Sequence, residues 1–385
     1  MVSPKNTPEI KLIRTAYKSD AIATDDLNEQ QKAVVNHRST KLLVLGKGGS
    51  GKTSTLISAI TNRISNGEDP NSILAITYGR SSASKLRDQI AAANPKAHTV
   101  NEPIARTFHS LAFMILNDPI NISAGENKKY VLLSGAEQDA QIRELLAQDI
   151  KDLSKTSWPK ELIPALATRG FAKELREFIN RATERGSSPD ELLAASKKHQ
   201  QKYWPAICDF WQRYKAVSAL KDLTPSNSII RIDPSEIVIE AVEKLESNQI
   251  LLEKYRKLFK VIYVDEFQES DKAQCKLLQL LSGDELVIFA DPDSAVGRFR
   301  GADPENLLTD LEDSGIKNKI TLPTVYRNVK EKNVVMLASV SDEANFIAHQ
   351  FRAAHLRDGV NWSAMAVILR SPGAQVPALA RAFAV

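Results

Sequence analysis

Short, continuously apolar runs alternate with segments whose apolar residues recur at helical spacing, and the alternation starts near residue 27. Asp25 and Asp26 can cap a helix running from Leu27 through Val35. KLLVLG at 41–46 reads as a buried strand stopped by a glycine, and SGKTSTLISAITNRI follows with the period of a helix. SILAITY and ASKLRDQIAAA repeat the strand-to-helix order, and LFKVIYVDE and DELVIFADPD are two further apolar strands, each ending in carboxylates. Strands with no apolar/polar alternation are buried on both faces. That is the mark of a parallel sheet covered by helices, with its functional groups at the carboxyl ends of the strands. The fold class expected is α/β.

From Ser110 to about Asn227 the β-branched runs give way to EQDAQIRELLAQDI, AKELREFINRATERG and SPDELLAASKKHQQ, helical segments that predict a subdomain inserted into the sheet domain. After Arg327 come a polar KEK and then VVMLASV, SDEANFIAHQFRAAHL and AMAVILRS, which read as strand, helix and strand, the opening of a second α/β domain. The division expected is a flexible tail over 1–20, a sheet domain over 21–110 and 228–330, the helical insert over 111–227, and a fragment of a second domain over 331–385.

The 385 residues are 43% hydrophobic and 25% charged, a balance that excludes wholesale disorder and fibrous architectures. Two cysteines exclude a disulfide scaffold and a thiolate zinc cluster. The N-terminus lacks an apolar stretch before a cleavage site, and no run approaches about 18 apolar residues, so a cytoplasmic protein without a membrane span is expected. A formal charge of +4 is too mild to announce a polyanion partner, which has to be sought in local sites.

Gly46-Lys47-Gly48-Gly49-Ser50-Gly51-Lys52-Thr53 is G-x-x-x-x-G-K-T, placed after a strand and before a helix as a phosphate-binding loop requires. Its glycines let backbone N–H groups face a polyphosphate at a helix N-terminus. Lys52 would reach the β- and γ-phosphates and Thr53 would hold Mg2+. The run VIYV followed by Asp265 and Glu266 supplies a second carboxylate site. Asp265 at the strand end can bind Mg2+ through water, and Glu266 beside it can polarise an attacking water. Two acids after a strand are ordinarily solvated loop residues; their place downstream of a phosphate loop favours the hydrolysis pair.

LNEQQ near the start, GKGGSGKT, TFHSLA at 107–112, DEFQ at 265–268, DPD and FRGADP within 291–304, and LPTVYRN at 322–328 resemble, in wording, order and spacing, the UvrD/Rep-type superfamily 1 DNA helicases over nearly the whole chain. The insert, with TRGFAKELREFINRATERGSSPDEL, looks more like the actinobacterial helicase-nuclease motor subunits. The resemblance implies a RecA-like P-loop NTPase sheet with an inserted helical subdomain and a truncated second α/β domain, using ATP and Mg2+. It implies that Gln31 reads the adenine edge, that Gln268 couples the nucleotide state to a DNA groove, and that Arg327 and Arg300 lie near the γ-phosphate. A planar, always protonated guanidinium suits developing phosphoryl charge. A surface ion pair is the alternative for Arg327. Single-stranded or tailed duplex DNA would cross the top of the sheet against Tyr78, Arg80, Thr107, Phe108, His109 and Phe299, since stacking is sequence-tolerant at about 1–3 kcal/mol per base. Phe108 fits core packing equally well.

Where the family reads roughly GDPDQSIYxFRGA, this chain has ADPDSAVGRFRGA at 290–302. Ser294 is too short to span from the strand end to the γ-phosphate region as the family's glutamine would, and Gly297 removes an aromatic platform. Arg80 stands where the family's TNKAA has its phosphate-binding lysine, and either cation can neutralise a phosphate. The family's later motifs, a VHxxKGLE-like segment and a second arginine finger, are not found before Val385. The leading expectation is an ATP-dependent DNA helicase. The alternatives are a truncated, degenerate motor or one half of a split motor completed by a second polypeptide, either binding ATP and single strands without unwinding alone, and the motor part of a helicase-nuclease subunit.

Overall fold

The computed structural model describes residues 26–93, 104–123, 129–222, 229–313, 315–326, 334–369 and 372–384. The tail expected over 1–20, Asp25 and Arg327 lie outside them. The chain divides into two units, residues 1–327 and 328–385.

Eight strands are found among the described residues: β1 Lys41–Gly46, β2 Ile73–Ile76, β3 Ala105–Arg106, β4 Lys129–Leu132, β5 Ile229–Ile232, β6 Val261–Val264, β7 Glu285–Ala290 and β8 Asn318–Leu322. Six of them form one sheet in the order β3-β2-β6-β7-β1-β8, every pair parallel. The continuous apolar runs have a simple cause in the period of two along a strand. Leu43, Leu74, Ile76, Ile262, Val264 and Ile288 enter a core shared with helices Phe108–Leu116, Ile237–Ser247, Gln249–Leu258 and Lys272–Leu281. Their neighbours Leu42, Val44, Ile73, Ala75, Tyr263 and Phe289 enter a second core under Glu29–Val35, Lys52–Ser65 and Arg80–Ala93. Each fully buried aliphatic side chain contributes about 1.5–3 kcal/mol, so both faces hold the sheet.

β3 and β8 were not anticipated. β3 has only two residues, and β8 carries polar Asn318, Lys319 and Thr321 at an edge, where one face meets water. The first helix begins at Glu29, not at Leu27, because Asn28 and Gln31 close a capping box in place of the expected aspartates.

Helices Gly135–Lys151, Arg169–Glu184, Pro189–Lys198 and Trp204–Asp222 enclose a separate apolar core around Trp158, Phe210 and Trp211. Buried Asp149 pins it, accepting from Trp158 Nε1 at 2.7 Å and from both Arg213 terminal nitrogens at 2.5 and 2.9 Å. The unanticipated parallel pair β4–β5 stands where the chain enters and leaves these helices. Asn117 braces it by accepting the Tyr130 N–H at 2.9 Å, and the Tyr130 hydroxyl donates to Glu240 at 3.0 Å.

In the second unit, helices Val340–Asp358 and Pro372–Ala384 meet through Ala344, Ala348, Ala378 and Ala382. The runs VVMLASV at 334–340 and AMAVILRS at 364–371, expected as strands, form none among the described residues, and Val340 already belongs to the first of these helices. Val334, Met336 and Ile368 are 87%, 93% and 96% exposed, and a strand with no neighbour to pair with gains neither ladder nor burial. Cys208 and Cys275 are free and buried, and burial, then Asp310 and Asp271, push the Cys275 thiol up to about 12. Among the described residues no helix is long and apolar enough to cross a membrane.

Asp233, next to β5, is raised to about 6 by burial and then by Glu236, although the Tyr214 hydroxyl donates to it at 3.0 Å. A carboxyl raised in the native state binds more protons there than in the unfolded chain between about pH 4 and 6. Its contribution to stability is therefore full below pH 4 and lost as pH rises through 6. Asp233→Asn removes this titration. The stability difference, variant minus wild type, is expected to grow by up to about 3 kcal/mol from pH 4 to pH 7.5, read from urea midpoints at each pH. A difference that does not change with pH would contradict it.

Candidate active site

The parallel register sets the site. Leu45 pairs with Ala290 and Val264 with Ile288, so the ends of β1, β6 and β7 bring Gly46, Asp265 and Asp291 to one edge of the sheet. Between β1 and the helix Lys52–Ser65, residues 46–51 turn tightly, and Gly49 and Gly51 both have φ +85°. Positive φ strains any residue with a Cβ. At Gly46 the constraint is space, since a Cβ there would stand 2.4 Å from Ser50 Oγ.

Lys52 is buried, donating to the Gly46 carbonyl at 2.7 Å and lying 3.8 Å from Asp291 Oδ2. Thr53 Oγ1 donates to Asp265 Oδ2 at 2.9 Å, which joins the phosphate-loop helix directly to the end of β6. Burial first, then the neighbouring Glu266 carboxylate, raise Asp265 to about 6, against the Thr53 hydrogen bond and the Lys52 charge. Glu266 has φ +55°, a left-handed backbone that costs roughly 1–3 kcal/mol and persists only where its surroundings overdetermine it. They do: its N–H meets Asp265 Oδ1 at 3.2 Å, its carbonyl accepts the Glu269 N–H at 3.0 Å, and its Oε2 accepts from Gln268 Nε2.

Gln268 is fully buried, and its Oε1 accepts the Asp291 N–H at 3.0 Å while Nε2 reaches Ser294 Oγ at 3.4 Å. Gln31 sits behind the phosphate loop. Its Oε1 accepts the Asn28 N–H at 3.1 Å, and its buried Nε2 has no partner. Ser50 Oγ is likewise buried and unpartnered. Two orphaned polar atoms at one loop are unusual, because buried polar groups are nearly always paired.

Lys52, Gln31 and the Thr53–Asp265 pair thus lie at the glycine loop, and Glu266 and Gln268 stand behind them, Glu266 next to Asp265 and Gln268 on the backbone of Asp291. Arg327 lies outside the described residues. The backbone of Phe299 and Arg300 lies in the turn Gly297–Arg300, and their side chains are outside the described structure. Three participants escaped the sequence reading. Asp291 faces Lys52. Asn28 Nδ2 donates to the Tyr326 hydroxyl at 2.8 Å. Tyr326 N–H in turn donates to the Gly49 carbonyl at 2.9 Å, so the residue before Arg327 is docked on the phosphate loop. DPD and LPTVYRN were visible as words, but which member touched the loop depended on register.

Away from the loop, Tyr78 is 39% exposed, and Arg80 and His109 are exposed. Arg80, Arg87, Arg106, Thr107 and His109 line one cavity of about 350 Å3, and His109 and Tyr78 also line a second of about 270 Å3. Phe108 is a correction: at 4% exposure it packs in the core beside Leu111 and Ala112, where its ring is closed to a base. Thr107 is buried as the N-cap of Phe108–Leu116, its hydroxyl accepting the Ser110 N–H at 3.1 Å.

The fold and site are those of a P-loop nucleotide-binding sheet with a second carboxylate centre beside the loop. Residues 27–314 match the UvrD/REP helicase N-terminal domain, and the chain belongs to that family. It is 26% identical over 324 residues to DNA helicase II of Salmonella typhimurium, covering 83% of this chain and 41% of that protein. It is 27% identical over 324 residues to DNA helicase II of Rickettsia typhi, with 83% and 44% covered. To the ATP-dependent DNA helicase PcrA of Staphylococcus epidermidis it is 25% identical over 312 residues, with 79% and 38% covered. The chain thus spans about two-fifths of the length of these relatives.

Gly51→Ala is expected to cost about 1–2 kcal/mol of stability, because it forces a Cβ into the left-handed region 2.8 Å from Gln31 Nε2. Gly48→Ala, whose Cβ would enter open space, should stay within about 0.5 kcal/mol. Urea titration of the two variants checks the contrast, and equal losses would refute it.

Proposed function

We propose that this chain is the ATP-hydrolysing, DNA-contacting part of a DNA helicase acting in the cytoplasm. The observation that carries the reading is the Thr53–Asp265 bond beside a loop whose Ser50 Oγ lacks a partner, as does the Nε2 of Gln31 next to it. A nucleotide would satisfy both kinds of group. The backbone of Gly46, Lys47, Gly48, Gly49, Ser50 and Gly51 would cradle the phosphates, Lys52 would exchange its carbonyl partner for the β- and γ-oxygens, and Gln31 would offer its orphan amide to the adenine edge. Thr53 and Asp265 fit Mg2+, being oxygen donors at the meeting of two carboxylates with one ammonium. The ion would neutralise charge developing on the phosphates.

Glu266 is the general base in this reading. It would take a proton from the attacking water, its carboxylate aimed by Gln268. Arg300 and Arg327 are proposed to stabilise the γ-phosphate. Tyr78, Arg80, Thr107, His109 and Phe299 are proposed for single-stranded DNA, and the arginine-lined cavity adds Arg87 and Arg106. The proposed division keeps residues 21–110 and 228–330 as the motor sheet, 111–227 as the insert, and 331–385 as part of a second motor domain, with a second polypeptide as a candidate partner.

Lys52→Ala is expected to weaken ATP binding in Mg2+ at least about tenfold through loss of a charge-assisted hydrogen bond. A fluorescent nucleotide titration reads it, and unchanged affinity would remove the reading. Arg80→Ala and Arg87→Ala should each lower affinity for an oligothymidylate and reduce the slope of log affinity against log salt by about 0.7. Wild-type slopes in both would exclude the arginine cavity from the DNA path.

A further inference from the structure

We infer that Glu269 is a positioning residue that locks the loop 291–297 to the carboxylate turn and, through that loop, ties the nucleotide site to the helical insert. The coupling it serves rests on the ATPase reading above. Glu269 is only 8% exposed, and its carboxylate is spent on backbone. Oε1 accepts the Val296 N–H at 2.8 Å and Oε2 accepts the Gly297 N–H at 2.6 Å. Hydrogen bonds to an ionised acceptor are roughly twice as strong as neutral ones, and one carboxylate holding two successive N–H groups fixes both the position and the tilt of the segment.

Gly297 makes the grip possible. A Cβ at that position would stand 2.4 Å from Glu269 Oε2, so the carboxylate occupies the space a side chain would need. Gln268 holds the other end of the same loop through the Asp291 N–H and Ser294 Oγ. The residues that directly follow the loop, 298–301, meet the insert. Arg185 Nη2 donates to the Arg298 carbonyl at 3.0 Å, and the Glu184 carbonyl lies 3.1 Å from where a Cβ on Gly301 would stand. The segment 291–301 is therefore held at 291–297 by residues 268–269 and at 298–301 by the C-terminal end of helix Arg169–Glu184. A shift of the turn that carries Glu266 is passed to the insert through these contacts instead of being absorbed by slack.

The test compares Glu269→Ala, Gly297→Ala and the double variant in the full chain, each checked by thermal melting. Limited trypsin cleavage after Arg298 reports loop release and needs no enzymatic activity. Each single change is expected to speed that cleavage on the order of tenfold, and the double variant should be no faster than either, because removing the carboxylate relieves the clash with Ala at 297. In parallel, oligothymidylate stimulation of ATP hydrolysis should be lost, with ATP affinity held within about twofold of wild type. Glu269→Gln keeps shape and one acceptor and covers a Glu269→Ala chain that does not fold; intermediate cleavage is expected from it.

Wild-type cleavage in Glu269→Ala or Glu269→Gln, or additive effects in the double variant, would overturn the lock. So would full DNA stimulation in a loop-released variant. A wild-type chain that fails to bind ATP while the cleavage pattern holds supports the lock and removes only the ATPase reading.

Discussion

The constraint on which this site depends is the parallel register of β1, β7 and β6. Pairing of Leu45 with Ala290 and of Val264 with Ile288 sends three strands out at one edge within reach of one another. A slip of one residue would turn every side chain of a strand to the opposite face. Here both faces are apolar cores, so the penalty for slipping comes less from hydrophobicity than from shape and from the ends. At the ends the penalty is plain, since Asp265 would leave Thr53 and Asp291 would leave Lys52.

Charge at that edge is unbalanced by design of the strands. Asp291 lies 3.8 Å from the Lys52 ammonium, whose charge also acts on Asp265, and Asp265 and Asp291 are both buried with Glu266 beside them. Burial and the adjacent Glu266 hold Asp265 partly toward its neutral form. The Thr53 hydroxyl offsets some of that cost by donating to it. Polar atoms left without partners at Gln31 and Ser50 add a desolvation cost at the same place. The left-handed Glu266 adds backbone strain at the same point, held by hydrogen bonds on both sides.

The sequence made the interior of this fold legible and left its edges dark. Four core strands and the phosphate loop stood out, because burial on both faces writes an uninterrupted apolar word. β3 is too short to have a period, β8 is half polar, and β4–β5 stabilise each other only across some hundred intervening residues. Apolar words at 334–340 and 364–371 looked like strands, yet a strand needs a neighbour that no local pattern reveals. For the site, Lys52, Thr53, Asp265 and Glu266 followed from spacing alone. Asp291, Asn28 and Tyr326 did not, since each joins the loop by tertiary contact. At Phe108 the sequence left a base contact and core packing equally open, and its burial decides for the core.

The two small residues in the loop after β7 show how far substitution can be judged from a motif. Read as letters, Ser294 and Gly297 are losses, one of reach and one of a ring. In three dimensions each is a socket for a longer side chain from the turn after β6. Gln268 reaches Ser294 Oγ, and Glu269 fills the space that a side chain at 297 would take. The two strand ends are linked, and the length of the link is supplied by side chains from the turn after β6. A change at 294 or 297 therefore cannot be assessed without its partner at 268 or 269. The two segments form one unit, with hydrogen bonds running between them from Asp291 to Gly297.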